Sequence, residues 1–242
     1  LPNKVITKLK EALIDQKDIF GDELYQGEIK VSFRKAPVKL AVKKQPEMFP
    51  IEEEQFKRAQ SLEELNSLIR GCLKCTLGKT RNKLVFGKGN PESDVLIIGE
   101  GPGADEDAQG EPFVGRAGKL LTDILKAINF TREEVYIANI VKCRPPGNRT
   151  PLPIEMETCV PYLTKQIELI KPKLILCLGL TAAQGLLKKR DSLTSMRGKI
   201  FEFAGAKAMV TYHPAALLRN PSWKRGCWED VKIFRKLYDE LA

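Results

Sequence analysis

The chain has 242 residues, room for one substantial core and an appendage, and its 43% hydrophobic and 29% charged content is that of a globular protein. No apolar run approaches the roughly 20 residues that span a bilayer, and the N-terminus lacks a charged-then-apolar leader pattern, which predicts a cytoplasmic protein with no membrane partner. Forty Lys and Arg against 31 Asp and Glu leave a net charge of +9, which suits a polyanion, and six cysteines in a reducing compartment read as buried thiols, metal ligands or reactive groups rather than disulfides.

Residues 3 to 20 set Val5, Ile6, Leu9, Leu13 and Ile14 at helical intervals, an amphipathic helix whose apolar face calls for a protein partner. From Gly27 to Pro50 the chain is Lys-rich and broken by Pro37, Pro46 and Pro50, which resist regular structure. We therefore expect an N-terminal helix and arm over 1–55 and a catalytic domain over 56–242. In "SLEELNSLIRGC", Ser61 is followed three residues later by Glu64, a capping-box pattern ahead of a helix that runs into Cys72-x2-Cys75.

Beyond this point strands and helices alternate. "DVLIIGE", "VYIANI", "LILCLG" and "AMVTYH" are short apolar, β-prone runs, separated by helical stretches such as "AGKLLTDILKAI", "EMETCVPYLTKQIELI" and "TAAQGLLKK". Runs apolar on both faces and joined by helical crossovers predict a mostly parallel four-stranded sheet sandwiched between helices, an α/β/α arrangement to which "GKIFEF" adds an edge strand. In such sheets ligands sit at the carboxyl ends of the strands, and the four ends here lead into "GEGPG", "NIVKCRPPGNRTP", "GLTAA" and "HPAALLRNP". The only histidine, His213, is on that rim.

The loop "GEGPGADEDAQGEPFVG" combines Glu100, Gly101 and Glu106 with further glycines that allow close backbone approach, but it has neither the G-x-G-x-x-G nor the P-loop pattern of a nucleotide site. Cys143 and Cys159 follow the second strand at a C-x15-C spacing and, with Cys72 and Cys75, make a four-thiolate site that fits zinc or a [4Fe-4S] cluster. Cys177, within a strand, and Cys227, in a late turn, read as non-ligands.

Together "GEGPGADEDAQGEPFVGRAGKLL", "YIANIVKCRPPGNRTP", "YHPAALLRNP" and the cysteine spacings resemble the family 4 uracil-DNA glycosylases, over about residues 61 to 242. The resemblance implies a [4Fe-4S] cluster on Cys72, Cys75, Cys143 and Cys159, a three-layer α/β/α fold, a monomer, and hydrolysis of the N-glycosidic bond of uracil in single- or double-stranded DNA. It implies that Phe113 stacks on the extruded base, that Asn139 reads its N3 and O4, and that His213 donates to O2 as charge develops there. The family 1 pattern has an aspartate where this chain has Gly101, so Glu100 becomes the expected water-orienting carboxylate, with Glu106 second or walling out the thymine methyl. Leu217 and Leu218 are expected to wedge the gap in the duplex, and Arg144, Asn148, Arg149, Arg219 and Lys142 to follow the DNA backbone. A rival reading, a catalytically inactive iron–sulfur DNA-binding module, should have lost Glu100, Phe113, Asn139 or His213, and all four are present. A branch that traps its product through a second histidine in a basic insert is excluded by the single imidazole.

Overall fold

Four apolar runs supply the strands that hold the molecule together: β2 (Val95–Gly99), β3 (Tyr136–Asn139), β4 (Leu174–Leu178) and β6 (Ala206–Thr211). In the computed structural model, which describes residues 55–241, they pair in parallel in the order β3-β2-β4-β6. Two short antiparallel strands, β1 (Lys88–Gly89) and β5 (Phe201–Phe203), extend the sheet to six. The edge strand expected in "GKIFEF" is β5. β1 was not legible, since two exposed residues carry no alternating pattern. The helix and arm expected over 1–55 lie, but for Gln55, outside the described residues.

Side chains alternate along each strand, so every central strand feeds two cores. Leu96, Ile98, Ile175 and Val210 pack on one face with α1 (Leu62–Ile69), α5 (Pro153–Ile170) and α6 (Leu180–Leu187). Val95, Ile97, Leu176 and Met209 pack on the other with α4 (Arg116–Ala127) and α9 (Lys224–Asp239). Three layers follow from that alternation: a sheet buried on both sides needs helices on both sides. Among the described residues no helix is long and apolar enough to cross a membrane.

Local chemistry sets the helix ends. Ser61 Oγ accepts from Glu64 N at 3.2 Å and starts α1, while the Glu64 carboxylate reaches one residue further back than a capping box requires, to Gln60 N at 2.7 Å. Pro153 opens α5, and Glu155 accepts from Leu152 N at 2.7 Å. Three short helices were not anticipated: α2 (Leu77–Thr80), α3 (Ala104–Gln109), which lies inside the segment read as a loop, and α7 (Leu193–Met196). The late turn assigned to Cys227 is instead part of α9, whose buried Cys227, Val231, Phe234 and Leu237 recur at helical spacing. Cys177 is buried in β4 as expected.

Phe113 is held with φ 54°, a left-handed conformation, ahead of α4. Gly118 makes this possible, because a Cβ there would overlap the Phe113 carbonyl. We expect Gly118→Ala to cost about 1–3 kcal/mol, as for overpacking in a well-filled interior, and to move Phe113. Thermal unfolding checks the first effect; a variant as stable as the parent would show that this backbone can give way.

Candidate active site

The carboxyl ends of the parallel strands surround a cleft of about 400 Å³, to which Glu100, Gly101, Glu106, Phe113, Asn139, Asn148, Arg149, His213 and Arg219 all contribute. Residues spread over 120 positions thus meet where the sheet leaves its strand ends uncovered. The floor depends on Gly99 at the end of β2: a Cβ there would lie 2.6 Å from the Phe113 ring and would overlap Asn139 Oδ1.

Asn139 is the last residue of β3 and is 1% exposed. Its Oδ1 is the one buried side-chain polar atom among the described residues with no hydrogen-bond partner. Leaving such an atom unpaired costs about 1–3 kcal/mol, so the cleft holds an acceptor waiting for a donor. Across it the Phe113 and His213 rings lie 5.5 Å apart, tilted by 32°.

His213 is the N-cap of α8 (Pro214–Arg219), and its Nδ1 accepts from Ala215 N at 3.1 Å. An accepting Nδ1 carries no proton, so in the neutral ring the proton is on Nε2 and that atom is a donor. Burial, and secondarily the Arg219 charge, lower its pKa to about 4. The imidazole is therefore neutral at physiological pH, which the sequence alone did not settle.

The two carboxylates sit in different surroundings. Glu106 Oε1 accepts from Val114 N and Gly115 N, both at 3.0 Å, and Oε2 accepts from Gly103 N at 3.0 Å. Its charge closes the loop on itself, and its place in the cleft is a wall. The Glu100 carboxylate, half-buried, makes no hydrogen bond or ion pair among the described residues and stays free for water. Gly101 cannot readily become the missing aspartate, since a Cβ there would lie 2.7 Å from Val141 Cγ2.

Two of the residues assigned to DNA need correction. Leu217 is 1% exposed in the core under α8, so only Leu218, at 38%, is available as a wedge. Lys142 is 1% exposed and cannot follow a DNA backbone. Arg149 gives both terminal nitrogens to Glu155, at 2.7 and 2.9 Å, an ion pair that first of all holds the Glu155 carboxyl down to about 2. Arg144 also braces the loop, through Asn148 Oδ1 at 2.8 Å.

The four expected ligands also come together. Cys72, Cys75, Cys143 and Cys159 line one small cavity with Lys142 and Tyr162, on the α5 side of the sheet. Three of the sulfurs have a polar neighbour: Tyr162 Oη is 3.2 Å from Cys72 Sγ, Arg81 donates to Cys143 Sγ at 3.2 Å, and Lys142 N donates to Cys159 Sγ at 3.3 Å. Without a bound cation, burial pushes the Cys159 thiol up to about 12 and raises Cys143 too.

His213 being the only histidine of the chain, its ring protons can be followed by NMR without ambiguity. We expect the neutral signal to persist from pH 8 to about pH 5 and to titrate near pH 4, because burial disfavours the charged form. A midpoint near 6.5 would mean that the ring is solvated.

Comparison with known proteins agrees with this geometry. The family model described as the uracil DNA glycosylase superfamily matches residues 86–238. The type-4 uracil-DNA glycosylase of Archaeoglobus fulgidus is 44% identical over 186 residues, 74% of this chain and 94% of that protein. Those of Pyrobaculum aerophilum and Thermotoga maritima are each 44% identical over 181 residues, 72% and 73% of this chain and 92% and 94% of theirs. With its sheet-rim cleft and its match along most of these proteins, the chain belongs to the uracil-DNA glycosylase superfamily, in its type-4 family.

Proposed function

We propose that this protein excises uracil from DNA by hydrolysing the N-glycosidic bond and leaves an abasic site. The observation that carries this reading is the unpartnered Asn139 Oδ1, set in a cleft with an Nε2–H donor and an aromatic ring. Uracil offers an N3–H donor to Oδ1 and an O4 acceptor to Nδ2, whereas cytosine presents the reverse pattern and is rejected. The base reaches the cleft only when flipped from the stack, with Leu218 filling the gap and Arg219 and Arg144 meeting phosphates.

In the reaction the N1–C1′ bond breaks and its electron pair leaves with uracil, concentrating charge on O2. The His213 Nε2–H meets that charge, and because the ring is already neutral it stabilises the anion by hydrogen bonding rather than by a full positive charge. Glu100 orients the water that adds to C1′ and takes its proton. Glu106 keeps the loop closed around the base and Phe113 supports its face. The inactive-module reading is disfavoured, because a decayed site would have no reason to keep this donor and acceptor arrangement.

Cys72, Cys75, Cys143 and Cys159 would hold a [4Fe-4S] cluster. Four thiols on one cavity match its ligand set, and polar hydrogens aimed at the Cys143 and Cys159 sulfurs, with the Tyr162 hydroxyl in reach of Cys72 Sγ, suit thiolate acceptors. The buried Lys142 ammonium has no carboxylate partner among the described residues and lines the same cavity as the four sulfurs, which calls for negative charge there. When bound, such a group ties the C-x2-C segment to α5 and contributes buried negative charge.

We expect His213→Ala to slow single-turnover cleavage of a uracil-containing duplex by about 10² to 10³, roughly 3 to 4 kcal/mol, as for loss of an oxyanion donor. Substrate affinity should change much less. A rate near that of the parent protein would make the imidazole a helix cap and no more. Protein purified without oxygen should be brown and contain about four irons and four sulfides per chain. A colourless, zinc-loaded protein would overturn the cluster assignment.

A further inference from the structure

Lys142 is among the largest fully buried side chains of the described residues, yet it ends in an ammonium. A buried charge persists only where it is paired and hydrogen-bonded. The hydrogen bonds are visible: Nζ donates to the Asn139 backbone carbonyl at 3.0 Å and to Gln166 Oε1 at 2.5 Å, and Gln166 is itself fixed by donating to the Phe86 carbonyl at 3.0 Å. The pairing comes from the other direction. Lys142 lines the four-cysteine cavity, and its own backbone N–H donates to Cys159 Sγ. One residue thus touches both the proposed cluster site and the residue that reads the base.

That contact falls on the backbone of Asn139, and there it matters most. The amide oxygen has no protein partner to orient it, and Gly99 offers no side chain to brace it. Its aim therefore depends on how the end of β3 is held. On the β2 side, Ile140 N donates to the Gly99 carbonyl at 2.9 Å. On the α5 side, the strand end is held by the ammonium on the Asn139 carbonyl.

The geometry points to Lys142 as a positioning residue for base recognition: its ammonium, with the thiolate-held cluster as counter-charge, grips the Asn139 carbonyl and so fixes the amide that selects uracil. This rests on the cluster assignment made under Proposed function. The cluster acts on the reaction only through the placement of Asn139, and Lys142 is the link.

The test uses full-length protein and Lys142→Met, which keeps the length of the side chain and removes its charge and donors. On a uracil duplex under single-turnover conditions we expect the half-saturating concentration to rise by about tenfold, the scale of one lost charge-assisted hydrogen bond. Discrimination of uracil against cytosine should fall alongside it, while the maximal rate changes by no more than about threefold, since His213 and Glu100 are untouched. Separately from activity, the visible absorption of the cluster should bleach several times faster under a chelator, because its counter-charge is gone. A folded, iron-loaded Lys142→Met protein with unaltered half-saturation and selection overturns the inference. If that variant does not fold, Gln166→Glu replaces it: a carboxylate beside the ammonium draws it off the Asn139 carbonyl, and unchanged selection there is equally fatal. Iron content of the unsubstituted protein separates the two proposals, since colourless parent protein defeats the cluster assignment, whereas a brown parent and an indifferent Lys142→Met defeat only this one.

Discussion

A parallel sheet sealed on both faces can present its chemistry only at the ends of its strands, and the rest of this structure depends on that constraint. Leu96 and Ile98 belong to one core and Val95 and Ile97 to the other, which leaves no open face on β2 for a ligand. The chain must emerge at Gly99, Asn139, Gly179 and His213, and there the cleft forms. Close approach sharpens it: Gly99 lets the Phe113 ring and the Asn139 amide reach the strand end, and Gly118 lets the Phe113 backbone turn through a positive φ.

Burial then sets the electrostatics of the cleft. Removing the imidazole from water and placing Arg219 nearby keeps His213 uncharged, and the N-cap role of Nδ1 fixes which nitrogen carries the proton. A single hydrogen bond from the Ala215 amide thus turns a residue with two possible tautomers into a donor of one direction. The carboxylates show the converse. Glu106 is consumed by three backbone amides and Glu155 by Arg149, so of the two acids that line the cleft it is Glu100 that keeps its lone pairs free. Their roles follow from what surrounds each acid, which residue type does not reveal.

The two faces of the sheet carry different duties. The cysteine cavity lies in the core packed by α1, α5 and α6, while α8, which His213 caps, sits over the other core through Leu217. The two regions meet at the end of β3, where Asn139 faces the cleft and Lys142 lies among the cysteines three residues later. The short, proline-rich segment that follows is braced by Arg144 with Asn148 and by Arg149 with Glu155, and Glu155 also accepts from Thr76, next to Cys75. The cysteine cavity and the loop that lines the cleft are therefore built from one continuous set of contacts.

The sequence by itself determined the four central strands and their crossovers, because apolar periodicity is a local signal, and it determined the cysteine set and the rim residues, because their spacing and order are specific. It also held the period of α9 in Cys227, Val231, Phe234 and Leu237, a signal that was there to be read and was passed over. Only the tertiary structure decided that Leu218 rather than Leu217 faces out, that Lys142 turns inward, that Arg149 pairs with Glu155, that Glu106 is structural, and that His213 is neutral. Each of those outcomes depends on burial and on partners distant in the chain. A residue's type fixes which charges and hydrogen bonds it can offer, but desolvation and the neighbours that the fold supplies fix which of them remain available.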